Sequence, residues 1–246
     1  MLPEMISLQD AFLLVATSTA ASMMTAAMGI GGGLLLLAVM ASIVPVAALI
    51  PVHGLVQLGS NGNRAAMTRR HIDWRLVRLF LAGAVVGAII AALLVVQLPL
   101  MVIQLTVAVF ILFMVWGPKL SNREATPSGL VTAGGVTTLI SMFVGATGPL
   151  VAAYIHRQGF EKYRTVATLA TCMTFQHSLK LFVFAWAGFV FVDWIALVLA
   201  MVGGGFFGTW IGLHLLRKIP TEKFQLIFKL VVSVLALRLI WQAFIS

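Results

Sequence analysis

The feature that most constrains this chain is an uncharged apolar run with a cluster of glycines at its centre. No Asp, Glu, Lys or Arg occurs between Ala11 and Ile50, and a stretch of that length is typical of membrane-embedded sequence. Four of the five residues 29–33 are glycine, and each glycine costs a helix interior about 1 kcal/mol relative to alanine. Broken helix at membrane depth is tolerated only against protein or a water-filled cavity. The run therefore predicts half of a solute-binding site.

The composition indicates an integral helical membrane protein and excludes several other classes. Of the 246 residues, 61% are hydrophobic and 9% are charged, and the mean hydropathy is +1.07. The net charge of +9 is spread between apolar segments, which is typical of topology signals, so no nucleic acid is expected as a partner. Cys172 is the only cysteine, which excludes an internal disulfide. Because Glu4 and Asp10 precede the first apolar run, we interpret it as a membrane segment and not as a cleaved signal peptide.

The sequence divides into two matching halves. Four features recur in the same order: Asp73-Trp74 as Asp193-Trp194, Gly83 and Gly87 as Gly204 and Gly208, Leu98-Pro99 as Ile219-Pro220, and the break at 29–33 as a break at 145–149. This recurrence predicts an internal duplication. The expected domains are a first membrane repeat at 1–117, a cytoplasmic linker at 118–128 and a second membrane repeat at 129–246. The recurring glycines have the spacing of tight helix packing and are expected to be scaffold.

The basic loops predict how the two halves are oriented. The loops 67–75, 117–128 and 156–164 are rich in Lys and Arg and are therefore expected in the cytoplasm. The last two can share a side only if 129–156 is a hairpin that enters and leaves on that side. The chain is then an all-α polytopic membrane protein with two inverted repeats, each a glycine-broken helical hairpin plus three transmembrane helices. The alternative is a plain count of about eight spans, in which 8–44 and 129–156 are single broken spans.

Two polar groups interrupt the apolar segments. His53, Gln57, Asn61 and Arg64 are spaced 4, 4 and 3 residues apart and share one helix face. Gln176, His177 and Lys180 lie in the matching segment of the second half. Polar groups at this depth are expected to face a cavity. The alternatives are that they tie helices together, that Arg64 snorkels to the interface, and that backbone carbonyls of the broken hairpins hold Lys180.

The position of the acidic residues indicates the charge of the solute. All seven carboxylates fall at segment ends or in loops, so a cation site is not expected, and no metal or cofactor is predicted. Lysine, arginine, amides and the N–H groups of broken helices instead favour a small anion. The expected proton-coupling residues are His53 and His177. The expected substrate-binding residues are Gly29, Gly31, Gly32, Gly33, Gln57, Asn61, Arg64, Gly145, Thr147, Gly148, Gln176 and Lys180.

Several stretches together resemble the TauE/SafE family. The glycine motif with Gly29 and Gly31–Gly33, and the His71-Ile72-Asp73-Trp74 signature, match that family, and Gly145–Pro149 is similar to its second break. The resemblance extends from about Ala11 to Leu239. It implies a permease for sulfite, an organosulfonate or a related organic anion.

The sequence therefore predicts a transporter that binds a small oxyanion between the two glycine breaks and works by alternating access. The alternatives are a passive anion channel and a membrane enzyme or assembly factor. The enzyme is disfavoured because no nucleophile–base motif is found. The expected partners are a small anion and the lipid bilayer, with a homodimer left open. The expected location is the inner membrane of a bacterial-type cell, with multiple passes.

Overall fold

The part of the chain that the structure describes is mostly helical, with short turns between the helices. The computed structural model describes residues 3, 5–28, 31–94, 100–117, 126–215 and 222–245, and no strand occurs in them. The helices are α1 (Leu8–Met28), α2 (Gly32–Met40), α3 (Val46–Met67), α4 (Trp74–Leu94), α5 (Leu100–Trp116), α6 (Pro127–Val144), α7 (Gly148–His156), α8 (Lys162–Trp186), α9 (Ile195–Leu215) and α10 (Glu222–Ile245), with short 3-10 helices at Arg69–His71 and Val192–Trp194. The predicted all-α class is confirmed. Most of the predicted linker and the recurring pairs Leu98-Pro99 and Ile219-Pro220 lie outside the described residues.

Apolar helices surround a polar central pair. Among the described residues, four segments are long and apolar enough to cross a membrane: α1, α4, α6 and Val192–Leu215. The helices α3 and α8, with 22 and 25 residues, reach the length that spans a bilayer but carry the polar groups. Those groups point inward: Gln57 is 8% exposed and His177 only 1%. Large apolar side chains such as Leu93 lie exposed on the outside. This arrangement is that of a multi-pass membrane protein.

The helix boundaries of the first half recur in the second half, at one distance before the central helices and at another after them. Four boundaries of α1–α3 recur 116 residues later: Met28 as Val144, Gly32 as Gly148, Met40 as His156 and Val46 as Lys162. After α3 and α8 the distance becomes 121 residues, as from Trp74 to Ile195 and from Leu94 to Leu215. Three of the five additional residues lie in α8, which has 25 residues against 22 in α3, and the other two lie in the connection that follows, 187–194 against 68–73. Counted from the starts of α3 and α8, at Val46 and Lys162, position-by-position equivalences in the first four turns use the offset of 116.

Helices of the first half pack on helices of the second half. The helix α1 packs most extensively on α9, and α4 on α6, so each half contributes to both pairs. Glycines make these contacts close: a Cβ on Gly83 would lie 1.8 Å from Val131 O, and one on Gly208 would lie 2.0 Å from Thr19 O. The predicted scaffold role of Gly83 and Gly208 is confirmed. The central pair α3 and α8 and the peripheral pair α5 and α10 complete the bundle.

Both predicted glycine breaks are present. A Cβ on Gly32 would lie 1.9 Å from the carbonyl oxygen of Ala21, which is well inside α1. The start of α2 therefore lies beside the middle of α1, and the chain reverses direction between the two helices. Gly31 at the first break has φ 101° and Gly145 at the second has φ 85°, a region that side-chain-bearing residues rarely adopt. A Cβ on Gly145 would lie 2.9 Å from Leu37 Cδ1 in α2. The two breaks are therefore neighbours at the centre of the bundle.

Candidate functional site

A small cavity lies between the two breaks and the central helices. Its volume is about 40 Å³, and one water needs about 10–15 Å³ by the same measure, so it has room for roughly three. The lining residues come from α1, both breaks, α2, α3 and α8: Thr25, Gly31, Gly33, Leu34, His53, Gln57, Asn61, Ala146, Gly148, Pro149, Leu169, Met173 and His177. The starts of the half-helices α2 and α7 both reach this cavity. Their unpaired N–H groups and helix dipoles favour a negative charge there.

The structure brings together about half of the residues expected at the site. Gly31, Gly33, Gln57, Asn61, Gly148, His53 and His177 line the cavity. Gly32, Arg64, Gly145, Thr147, Gln176 and Lys180 do not line it, and Gly29 lies outside the described residues. Gln176 instead donates from Nε2 to Thr147 Oγ1 at 3.0 Å, which fixes the second break against α8. The role of these residues as ligands remains a prediction.

A directed chain of hydrogen bonds runs along α3 toward the cavity. Arg64 Nη1 donates to Asn61 Oδ1 at 3.0 Å, and Asn61 Nδ2 donates to Gln57 Oε1 at 3.0 Å. Because a guanidinium only donates, it sets the orientation of both amides. The amide nitrogen of Gln57 then lies 3.4 Å from His53 Nε2.

His53 Nε2 cannot accept a hydrogen bond from the Gln57 amide nitrogen. His53 Nε2 lies 3.0 Å from the carbonyl oxygen of Gly33, and a carbonyl only accepts, so this nitrogen carries the proton. The Gln57 amide nitrogen therefore faces another donor at the cavity wall. A bound anion would accept a hydrogen bond from this amide nitrogen.

Two cations are buried beside the cavity without a carboxylate partner. Lys180 is 0% exposed and Arg64 is 2% exposed. The ion pairs in the described part of the chain are Arg164–Asp73 and His71–Glu161, and neither includes these two residues. Buried charges in proteins are normally paired. A bound anion would supply the missing countercharge.

Lys180 holds the second break through a backbone carbonyl. Its Nζ donates to Gly145 O at 2.7 Å, at the C-terminus of α6, where a positive charge is favourable. The side chain crosses α3 at a glycine, since a Cβ on Gly54 would lie 2.8 Å from Lys180 Cδ. This contact corresponds to the structural alternative that the sequence leaves open for Lys180.

A second imidazole faces the same space. His177 is 1% exposed, and its Nδ1 is buried with no hydrogen-bond partner. Its ring lies edge-on to that of His53, with the ring centres 6.2 Å apart. An unpartnered polar atom at this depth is costly. A ligand in the cavity would relieve that cost.

The cavity wall on α8 includes residues that the sequence analysis misses. Leu169 and Met173 line the cavity, and they stand 116 residues after His53 and Gln57. The recurring Asp-Trp and glycine pairs have offsets of 120 and 121, which do not pair Leu169 with His53 or Met173 with Gln57. The offset of 116 between the two glycine breaks is the sequence signal that finds them. Thr25, Leu34, Ala146 and Pro149 carry no polar pattern that would single them out.

Polar contacts join the two halves at one end of the bundle. Asp73 Oδ2 accepts a hydrogen bond from Arg164 Nη2, and Thr168 Oγ1 accepts one from Asp73 N at 3.0 Å. His71 Nδ1 lies 3.7 Å from Glu161 Oε1. The segments 71–73 and 161–168 therefore share one face of the bundle. This agrees with the expectation that the basic loops 67–75 and 156–164 lie on the same side.

These contacts make Asp73 sensitive to acid. Partial burial favours a higher pKa, but the hydrogen bonds from Leu76 N and Arg164 outweigh it and hold the pKa of Asp73 below its usual value. The stabilisation from the ionised carboxylate is therefore complete above about pH 4, the ordinary pKa of Asp, and is lost as the pH falls through the lowered value.

We expect Asp73→Asn to lower the stability of the protein at pH 7 by about 1 kcal/mol or less, because Arg164 is half exposed. The difference from the wild type should shrink as the pH falls below about 4 and through the lowered pKa of Asp73, where the wild-type carboxylate becomes protonated. Thermal unfolding of the purified protein between pH 3 and 7 measures this. Asp193→Asn is the matched control, because no ion pair in the described part of the chain includes Asp193. A difference that stays constant with pH would contradict the assignment.

The comparisons with known proteins give one match. The family model "Sulfite exporter TauE/SafE" matches residues 14–239, which is nearly the whole chain and includes both breaks and both central helices. No curated protein and no solved structure matches the chain. By the extent of this match, the chain belongs to the sulfite exporter TauE/SafE family.

Proposed function

We propose that this protein is a permease for a small anion that binds in the cavity between the two breaks. The observation that carries the proposal is the Gln57 amide nitrogen at the cavity wall, which faces the N–H group of His53 Nε2 at 3.4 Å and so lacks an acceptor there. The uncompensated cations Arg64 and Lys180 favour the same sign of ligand. Membership of a transporter family supports transport over catalysis. Sulfite, a sulfonate or a small carboxylate fits these demands.

The proposed mechanism is alternating access by two inverted repeats. A hairpin formed by α1 and α2 returns the chain to the side where it entered, and α3, α4 and α5 then cross three times. The second repeat therefore starts from the opposite side. The recurrence of the helix boundaries, and the packing of α1 on α9 and of α4 on α6, support a pseudo-twofold relation between the two repeats. The contact of segments 71–73 and 161–168 at one face supports the hairpin topology over single broken spans. The setting proposed is a bacterial-type inner membrane.

Proton coupling is a further part of this proposal. Among the described residues, His53 and His177 are the titratable side chains that line the cavity. The rings lie on opposite central helices, 6.2 Å apart, so a proton on either would stand beside a bound anion. A proton gradient should then change the rate of anion uptake into proteoliposomes, and His177→Gln should remove that dependence.

The test of the anion site is the replacement of Gln57 by leucine. Loss of one donor to a charged ligand costs about 1.5–3 kcal/mol, so we expect anion affinity to fall by at least about tenfold. Thermal shift of the purified protein with sulfite and short sulfonates measures binding, and counterflow in proteoliposomes measures transport. Gln104→Leu is the matched control, because Gln104 is a buried amide, 9% exposed, that does not line the cavity. Equal loss in both variants, or no stabilisation of the wild type by any anion, would overturn the proposal. Uptake without counterflow would indicate a channel.

A further inference from the structure

The cavity is polar on one side and apolar on the other. The lining residues on α3, His53, Gln57 and Asn61, are all polar, whereas those at the equivalent positions on α8 are Leu169, Met173 and His177. Two of the three equivalent pairs therefore join a polar residue to an apolar one.

The lining from the breaks extends the apolar side. Pro149 has no N–H group, and Leu34 and Ala146 add carbon surface. The hydroxyl of Thr25 donates to Ala21 O at 2.9 Å, so its proton is not available to a ligand. The wall formed by Leu169, Met173 and Pro149 offers no hydrogen-bond donor from its side chains.

We propose that Leu169 and Met173 determine specificity, and that the cavity selects anions with oxygens on one face and an apolar group or a lone pair on the opposite face. This inference rests on the anion site proposed above. A tetrahedral anion with four equivalent oxygens would press at least one of them against the wall, where nothing replaces its hydration. A pyramidal oxyanion or a short alkyl sulfonate turns its non-oxygen face there instead. Sulfate is therefore rejected and methanesulfonate, of nearly the same shape, is accepted.

The volume of the cavity limits the size of the bound anion. A cavity of about 40 Å³, with room for roughly three waters, favours a compact anion. A longer substituent would need the wall to open. The accepted class is therefore a small anion with a single head group and at most a short apolar tail.

The test is a change at Met173 that leaves the charge of the site unaltered. Met173→Gln gives α8 the amide that α3 carries at the equivalent position, Gln57. Wild-type protein should bind methanesulfonate about tenfold or more tightly than sulfate, and Met173→Gln should raise the affinity for sulfate by about tenfold or more, the effect of one donor to a charged oxygen. Met173→Leu is the matched control, since it keeps the wall apolar and should leave the ratio of affinities unchanged. Titration calorimetry of each variant with both anions measures these ratios.

The outcomes separate this inference from the function on which it rests. Equal binding of sulfate and methanesulfonate to the wild type would overturn the specificity role while leaving the anion site intact. An unchanged ratio in folded Met173→Gln would do the same. If that variant does not fold, Leu169→Gln makes the same test one turn earlier on α8. Failure of every anion to bind the wild type would overturn the proposed function, and this inference with it.

Discussion

Replacement of Lys180 by methionine is expected to lower both the stability of the anion-free protein and its affinity for anions. Methionine keeps the apolar stem that crosses Gly54 but removes the hydrogen bond of 2.7 Å to Gly145 O. The carbonyl is then buried without a donor, which costs about 1–3 kcal/mol. The second break would relax, and with it Ala146 and Gly148 in the cavity wall. The affinity for anions should fall by roughly 10–100-fold, since each 1.4 kcal/mol is a factor of ten.

The effects on stability and on anion affinity distinguish a lysine that holds the second break from a lysine that contacts the anion. A lysine that only contacts the anion would leave the unfolding temperature of the anion-free protein unchanged and weaken binding alone. A lysine that holds the break lowers both. Lys229→Met is the matched control, because Lys229 lies over the Trp116 ring, 5.1 Å from its centre, in a separate part of the bundle. Stability of Lys180→Met equal to that of the wild type without anion would contradict the anchor role and favour direct contact with the substrate.

The sequence predicts the class of the fold and the location of the site because both depend on strong local signals. An uncharged run of the length of 11–50 has one common explanation, and glycines at 31 and 145 are needed where φ is positive. Polar residues in α3 and α8 are predicted to face a cavity because lipid exposure is costly. His53, Gln57, Asn61 and His177 do line it. The family is likewise evident from the glycine motif at 29–33 and the signature at 71–74, which occur in the expected order along the sequence.

The partners of the buried cations are not predictable from the same signals. A lysine at membrane depth requires an acceptor, but the sequence does not show whether that acceptor is a ligand or the carbonyl of Gly145, 35 residues away. The apolar half of the cavity is hidden for another reason. Leu169 and Met173 look like ordinary lipid-facing or core residues. The motifs that follow the central helices do not reveal their equivalence to His53 and Gln57, because α8 is three residues longer than α3. Tertiary packing decides these features.

The equivalent glycines Gly32 and Gly148 are expected to differ sharply in their tolerance of alanine. Each begins a half-helix of nine residues. A Cβ on Gly32 would lie 1.9 Å from Ala21 O and 2.2 Å from Thr25 Oγ1, whereas the nearest atom to a Cβ on Gly148 is Met173 Cε at 3.9 Å. Gly32→Ala therefore forces α2 away from α1, and such overpacking costs about 1–3 kcal/mol or more. Gly148→Ala meets only ordinary contact and should change stability by less than about 0.5 kcal/mol.

Thermal unfolding and the monodispersity of the two purified variants measure this difference, each against the wild type. Because the two positions are equivalent in the repeats and the substitution is the same, propensity effects at the helix start are matched. The remaining difference reports the closeness of α2 to α1. A Gly32→Ala variant as stable as Gly148→Ala would contradict the close approach at the first break. The reversal of the chain after α1, on which the position of the α2 N-terminus at the anion cavity depends, would then be wrong as well.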